Sequence, residues 1–266
     1  SDVYKRQSLR GLVDGVIVVD QQMEPVHSGL GGGVVPDAFM ILSRIIASFH
    51  NDKGELLIEG LTPTEQDVFE LSDEFVKSSL SSNGVELFEM DSYSKRLWLE
   101  PALSILAIDA PPVAESVNLL IPKAKAKVSL RLPPTEDPDH AMNMLEKHIK
   151  ENTPFNANVN FIPEAKGKGI LVDPKNEFSS KLIESFNKNW ENEVAYMGVG
   201  GSIPFANVFI NEFPNSEIVL VGAGDEEGNA HAPNESVNID DIKRLITSLT
   251  DCLLYTSPSP RDLRKS

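Results

Sequence analysis

Lys123-Ala124-Lys125-Ala126-Lys127-Val128-Ser129-Leu130-Arg131-Leu132 alternates polar and apolar residues along its whole length. Ala124, Ala126, Val128, Leu130 and Leu132 fall on one face, and Lys123, Lys125, Lys127, Ser129 and Arg131 on the other. A period of two is that of a β-strand, and a strand with one apolar and one cationic face belongs to an antiparallel sheet buried on one side only. The lysines read as the solvated face. Arg131 stands apart by position, at the strand end beside Pro133-Pro134.

Working outward, the neighbouring segments alternate in type. Leu9 to Asp20 reads as a strand rich in β-branched residues, with Gly11 and Gly15 as sites of close packing or a bulge. His27-Ser28-Gly29-Leu30-Gly31-Gly32-Gly33 is a loop with polar groups on display; it fits no P-loop or dinucleotide fingerprint. A helix is predicted from Pro36 or Asp37 to Phe49, with Phe39, Leu42, Ile45, Ile46 and Phe49 as its apolar face. Thr62-Pro63-Thr64-Glu65 has the form of a capped helix start, so a second helix is predicted to about Leu80, inside an excursion covering about 55–100. A short strand follows at Leu103 to Asp109, a helix from Asp137-Pro138 to about Lys150, and a strand from Ala157 to Ile162. The order β-α-(insert)-β-β-α-β is the split ferredoxin-like arrangement. His140 and His148 lie eight positions apart, which matches no helical ligand spacing, and together with His50 they read as surface residues.

The last third differs. Pro163 to Pro174 reads as a linker, Glu177 to Trp190 as an amphipathic helix and Ala195 to Val199 as a strand. Gly200-Gly201-Ser202-Ile203-Pro204 turns the chain into a helix to about Glu212, with Ser202 as its cap; the same amides and hydroxyl suit an anionic group. Glu217 to Gly222 reads as a buried strand leading into Gly228-Asn229-Ala230-His231-Ala232-Pro233-Asn234-Glu235, after which Asn238 caps a further helix. Held on a loop at a strand mouth, His231 suits metal ligation or proton transfer, although a lone loop histidine is also a common surface residue. Asp225-Glu226-Glu227 reads as a solvated loop. Two strands and their helices cannot cover themselves, so this third reads as half of an α/β domain.

The 266 residues carry 40 acidic and 24 basic side chains, a formal charge of −16, which argues against nucleic-acid and anionic-membrane partners. No apolar run approaches the roughly 18 residues of a membrane span. Both ends, Ser1 to Gln7 and Cys252 to Ser266, resemble translated transposase adapter and are set aside as residues 1–7 and 252–266. The only cysteine, Cys252, goes with them, leaving no disulfide framework and no thiolate chemistry in the remainder.

The motifs SLRG, VHSGLGGGVVP, LWLEPALSI, SVNLLIP, KVSLRLPP, GGSIP and GNAHAPNE, in this order and spacing, resemble the zinc metallopeptidase family twenty of aminoacylases, carnosinase and carboxypeptidase G. The details are most similar to its cytosolic nonspecific dipeptidases and carnosinases. The resemblance implies a lid and dimerisation domain at 8–166, followed at 167–251 by the C-terminal part of an α/β catalytic domain with two zinc ions per subunit, other divalent metals being compatible. It implies that His231 is a terminal zinc ligand, that Ser202 and Asn118 contact substrate, that Arg131 pairs with the substrate's C-terminal carboxylate, and that His27 stabilises the oxyanion in the partner subunit's site. A homodimer formed through the lid, a cytoplasmic location and hydrolysis of dipeptides or short peptides follow in the same way. The family's H-x-D motif, bridging Asp and Glu-Glu pair precede the lid and are not in this sequence, so the chain alone is expected to be an inactive fragment. An N-acyl amino acid hydrolase and a non-catalytic dimerisation module are the alternative functions.

Overall fold

Our computed structural model describes residues 4–80, 86–171, 177–192, 194–201, 205, 208, 209, 212, 213, 216, 219–222, 228 and 233–256. The elements run β1 (Tyr4–Leu9), β2 (Gly11–Asp20), β3 (Val26–His27), α1 (Ser28–Gly31), α2 (Ala38–Ala47), α3 (Asp73–Leu80), α4 (Tyr93–Trp98), β4 (Ala102–Asp109), β5 (Leu119–Leu120), β6 (Lys123–Leu132), α5 (Pro138–Glu151), β7 (Val159–Gly167), β8 (Ile170–Leu171), α6 (Glu177–Asn189), β9 (Ala195–Val199) and α7 (Ile239–Thr256). They fall into two units, one built on Leu9–Ile170 and including Gly200, the other on Leu171–Val199 and α7.

The first unit is a four-stranded sheet of order β4-β6-β2-β7, every neighbour antiparallel. Its β2-α2-β4-β6-α5-β7 sequence and strand order are those of the split ferredoxin-like arrangement. The alternating stretch forms β6 over its full length and pairs with β2 from Gly11↔Leu132 to Asp20↔Lys123. Ala124, Ala126, Val128, Leu130 and Leu132, with Val13, Ile17 and Val19 of β2, are fully buried in one core with Ile41, Leu42 and Ile45 of α2 and Ala141, Leu145 and Ile149 of α5. The opposite face carries cross-strand ion pairs, Lys123–Asp20 at 2.8 Å and Lys127–Glu164 at 2.7 Å, both half-open to water and weak in consequence. The predicted bulge is present, as a register shift between Asp14 and Gly15 opposite β7.

Three expectations are corrected here. Thr62-Pro63-Thr64-Glu65 starts no helix: Thr64 is buried, its hydroxyl bonds to that of Thr135 at 2.8 Å and its amide donates to Leu99 O, so tertiary partners outbid the local cap signal and the helix begins only at Asp73. Pro163 does not open a linker, because β7 is an edge strand where a missing N–H costs no ladder bond, and the strand runs on to Gly167. On α2, Ile41 and Ala38 are buried while Phe39 is exposed, the reverse of its predicted apolar role. The helix starts where expected, and Asp37 caps it, accepting from Met40 N–H at 2.9 Å.

In the second unit, α6 and α7 pack through Leu182, Phe186 and Cys252, with Trp190, Leu245 and Leu249 alongside. Trp190 Nε1 donates to the buried Ser248 hydroxyl at 3.2 Å, satisfying both. A three-stranded sheet has the order β8-β1-β9. Tyr4 to Gln7 thus lie within β1, and α7 continues through Cys252 to Thr256, with Leu253 and Leu254 exposed. Parts of both ends set aside on sequence grounds are therefore folded.

Candidate functional site

His27 and Asn118 are brought together. β3 and β5 form a two-stranded antiparallel ribbon, Val26↔Leu120 and His27↔Leu119, and the Ser28 amide donates to Asn118 O at 2.8 Å. Both side chains are exposed. The ribbon closes tightly over Gly31, where an added Cβ would lie 2.9 Å from Val26 and 3.0 Å from Leu120. His27 caps α1: its Nδ1 accepts from the Gly29 N–H at 3.1 Å. With Nδ1 an acceptor, the neutral ring carries its proton on Nε2, which then faces outward as a donor.

Arg131 lies in the four-stranded sheet, at the end of β6 remote from the ribbon, half-buried, opposite Leu12 on β2 and Ala102 on β4. Lys123 marks the ribbon end of β6; at about 3.3 Å per residue the run from Lys123 to Arg131 covers roughly 26 Å. Within one chain the ribbon and Arg131 are thus several times farther apart than a dipeptide is long.

Around Arg131 the structure gathers a residue that the sequence reading passed over. Arg10, between β1 and β2, is only 8% exposed. Its Nε donates to Gly200 O at 3.3 Å, and Nη1 makes a long contact of 3.5 Å with Glu100 O. Burial, and after it the charge of Arg131, lowers the Arg10 guanidinium pKa to about 10, so it remains charged at neutral pH. The Glu100 carboxylate is taken by Arg96 at 3.0 Å. The signal was available: Arg10 is a lone charge in the apolar run Leu9-Arg10-Gly11-Leu12.

Ser202 and His231 lie outside the described residues. The residues on either side of the His231 loop meet, Ser236 N–H donating to Gly228 O at 3.0 Å. Among the described residues no group of three or more His, Cys, Asp or Glu could hold a metal ion, so the zinc implied by the resemblance finds no fitting ligand set among them. No described helix is long and apolar enough to cross a membrane.

Two of the remaining histidines depart from a simple surface reading. His148 is buried, stacked on Phe49 at 5.2 Å, with Nε2 3.1 Å from both Ser48 Oγ and Ser48 O. An aromatic ring beside it and the open end of α2 give this imidazole a place in the core, and desolvation lowers its pKa. His50 is half-buried, bridged to Leu56, and burial lowers its pKa too. His140 keeps its surface place, Nδ1 2.7 Å from Glu136.

The fold has known relatives. Residues 7–157 match the family model of the M20 peptidase dimerisation domain. The cysteinylglycine-S-conjugate dipeptidase of Corynebacterium striatum is 29% identical over 256 residues, covering 92% of this chain and 55% of its own length. The solved dipeptidase Dug1p of Saccharomyces cerevisiae superposes with a TM-score of 0.77 at 22% identity, over 98% of this chain and 57% of its own. Human carnosine dipeptidase 1 gives 0.73 at 19%, over 96% and 56%. The chain spans about half the length of these relatives. With its ribbon, its antiparallel sheet and the match across more than half its residues, the chain belongs to the M20 peptidase family and carries that family's dimerisation domain.

Proposed function

We propose that this chain supplies the lid, the carboxylate anchor and one metal ligand of a dimeric two-zinc peptidase that hydrolyses dipeptides or short peptides with a free C-terminal carboxylate. The observation that carries this reading is the separation of His27 and Asn118 from Arg131 by most of the length of β6. A site that uses all three for a short substrate is assembled from two subunits, the ribbon of one reaching the Arg131 end of the other. Leu30, Val34, Val113 and Val117, in and beside the ribbon segments, are 70% exposed or more, an apolar surface that favours a protein partner.

In this reading the Arg131 fork takes the substrate carboxylate. The Nε2–H of His27 donates to the oxyanion that develops on the scissile carbonyl, and the Asn118 side chain contacts the substrate. His231 is assigned as a metal ligand and Ser202 as a substrate contact by resemblance alone, and the other metal ligands and the general base are assigned to residues outside this chain. No step is derived through the metal. A free carboxylate also occurs in N-acyl amino acids, so the substrate class is decided by a panel.

The test is hydrolysis of dipeptides, their C-terminal amides and acetylated amino acids by the longer protein, with and without a chelator, next to sedimentation of the same samples. Chelator-sensitive cleavage of free dipeptides by a dimer is expected. Preference for acetylated amino acids would replace the dipeptidase with a deacylase, and a dimer without hydrolysis would leave a dimerisation module.

A further inference from the structure

We propose that Arg10 is a second carboxylate-binding residue of the site headed by Arg131: its buried guanidinium, bonded to the Gly200 carbonyl, sets a second positive charge beside the first. This rests on the reading of Arg131 as a carboxylate anchor. Three observations carry it. Arg10 stands just before β2, two positions ahead of Leu12, which pairs with Arg131, and it lies close enough to feel the charge of Arg131. Neither makes an ion pair with a described residue, although the chain has 40 acidic side chains against 24 basic ones, and Glu100, whose backbone carbonyl Arg10 reaches, turns its carboxylate to Arg96. Finally, Gly200 sits against the guanidinium so closely that an added Cβ would be 3.3 Å from Arg10 Nη2.

Placing two like charges side by side, one of them buried, is unfavourable in the chain alone and becomes favourable when a single anion is shared between them. An arginine suits the buried position because its guanidinium is less strongly hydrated than an ammonium and its fork fixes direction. Burial and the bond to the Gly200 carbonyl favour one placement of the Arg10 guanidinium, so its charge is largely set in advance of binding. The ligand chemistry selected is a monoanionic carboxylate over a neutral amide.

The experiment uses the 266-residue chain with glycylglycine and glycylglycinamide as probes at constant ionic strength. Binding is followed by the arginine Nε–H resonances and by thermal shift. Wild type is expected to prefer the carboxylate, and Arg131→Met to lose that preference. Arg10→Lys keeps the charge but loses the fork; it is expected to weaken glycylglycine by about tenfold, as for loss of one charge-assisted hydrogen bond, without changing the amide. Gly200→Ala, which displaces the fork and leaves both arginines in place, is expected to shift the same ratio by less. Circular dichroism identifies any variant that fails to fold. If both Arg10→Lys and Gly200→Ala bind like wild type while Arg131→Met loses binding, the proposal is overturned and the anchor stands. If Arg131→Met keeps the preference, or wild type shows none, the anchor and the proposal fall together.

Discussion

The regions at the two ends of β6 differ in how far the described residues cover them. At the Arg131 end Arg10 is buried and its guanidinium is bonded to the Gly200 carbonyl. At the ribbon end His27 and Asn118 stand on or beside two residues of paired strand, exposed, among apolar side chains that the described residues leave open. One end holds a buried, hydrogen-bonded cation and the other an exposed histidine and asparagine. In the reading proposed above, the first suits a ligand and the second needs a surface to meet, so that this domain is half of two sites rather than the whole of one.

Complementation in the longer protein is the largest way to break that contrast. His27→Ala and Arg131→Met are each expected to lose at least about a hundredfold in kcat/KM, the loss of a charge-assisted or oxyanion contact. If each site joins the ribbon of one subunit to the Arg131 of its partner, mixing the two inactive proteins puts one intact site in every heterodimer, about a quarter of wild-type activity in a random mixture. Recovery is the expected result. No recovery, with exchange of subunits verified, would overturn the reading that each site is shared between two subunits. Next in size is Leu130→Ala, fully buried in the core beside Arg131. It is expected to cost about 2–5 kcal/mol in denaturant unfolding. A cost below that range would mean that the core collapses into the space left by the lost side chain.

How much of this was legible depended on whether the signal was local. Lys123 to Leu132 declared its strand, its length and its buried face, because a period of two over ten residues has one reading. Asp37 and Asp137 announced helix starts that formed where expected, since a cap is satisfied by its own next turn. Thr62 to Glu65 carried the same kind of signal and failed, because Thr64 found Thr135 and Leu99, partners that no window of sequence contains. His148 failed for the same reason: Phe49 and Ser48 lie a hundred positions away. At the candidate site, the nearness of His27 to Asn118 rests on strand pairing between segments about ninety residues apart and could be named only through resemblance. Arg10 was visible as an odd charge in an apolar run, but its meaning required Gly200.

A smaller prediction sharpens the ribbon end. Asp37 caps the helix that follows the ribbon loop, so Asp37→Ala is expected to lower unfolding stability by about 1 kcal/mol. The Arg10 to Lys discrimination ratio should stay unchanged in the same variant, because the cap lies at the far end of the sheet. A change in both would show that the two ends are coupled.

The smallest effect expected is the pH response of His148, which lies on the helix side of the core rather than at either end. Its pKa is lowered by burial, so the unfolded chain binds its proton more readily than the folded one. The neutral ring therefore contributes stability above the unfolded value, near 6.5, and that contribution is lost as the pH falls below 6.5 towards the lowered folded pKa. Denaturant midpoints measured from pH 7.5 down to 5.5 should fall more steeply for wild type than for His148→Gln, which keeps a polar partner for Ser48 but does not titrate. His50 is shifted in the same direction, so His50→Gln is expected to remove part of the slope on its own and the double variant more than either. Parallel slopes in wild type and both single variants would mean that these imidazoles titrate alike folded and unfolded, and that the stacking of His148 on Phe49 does not keep its ring dry.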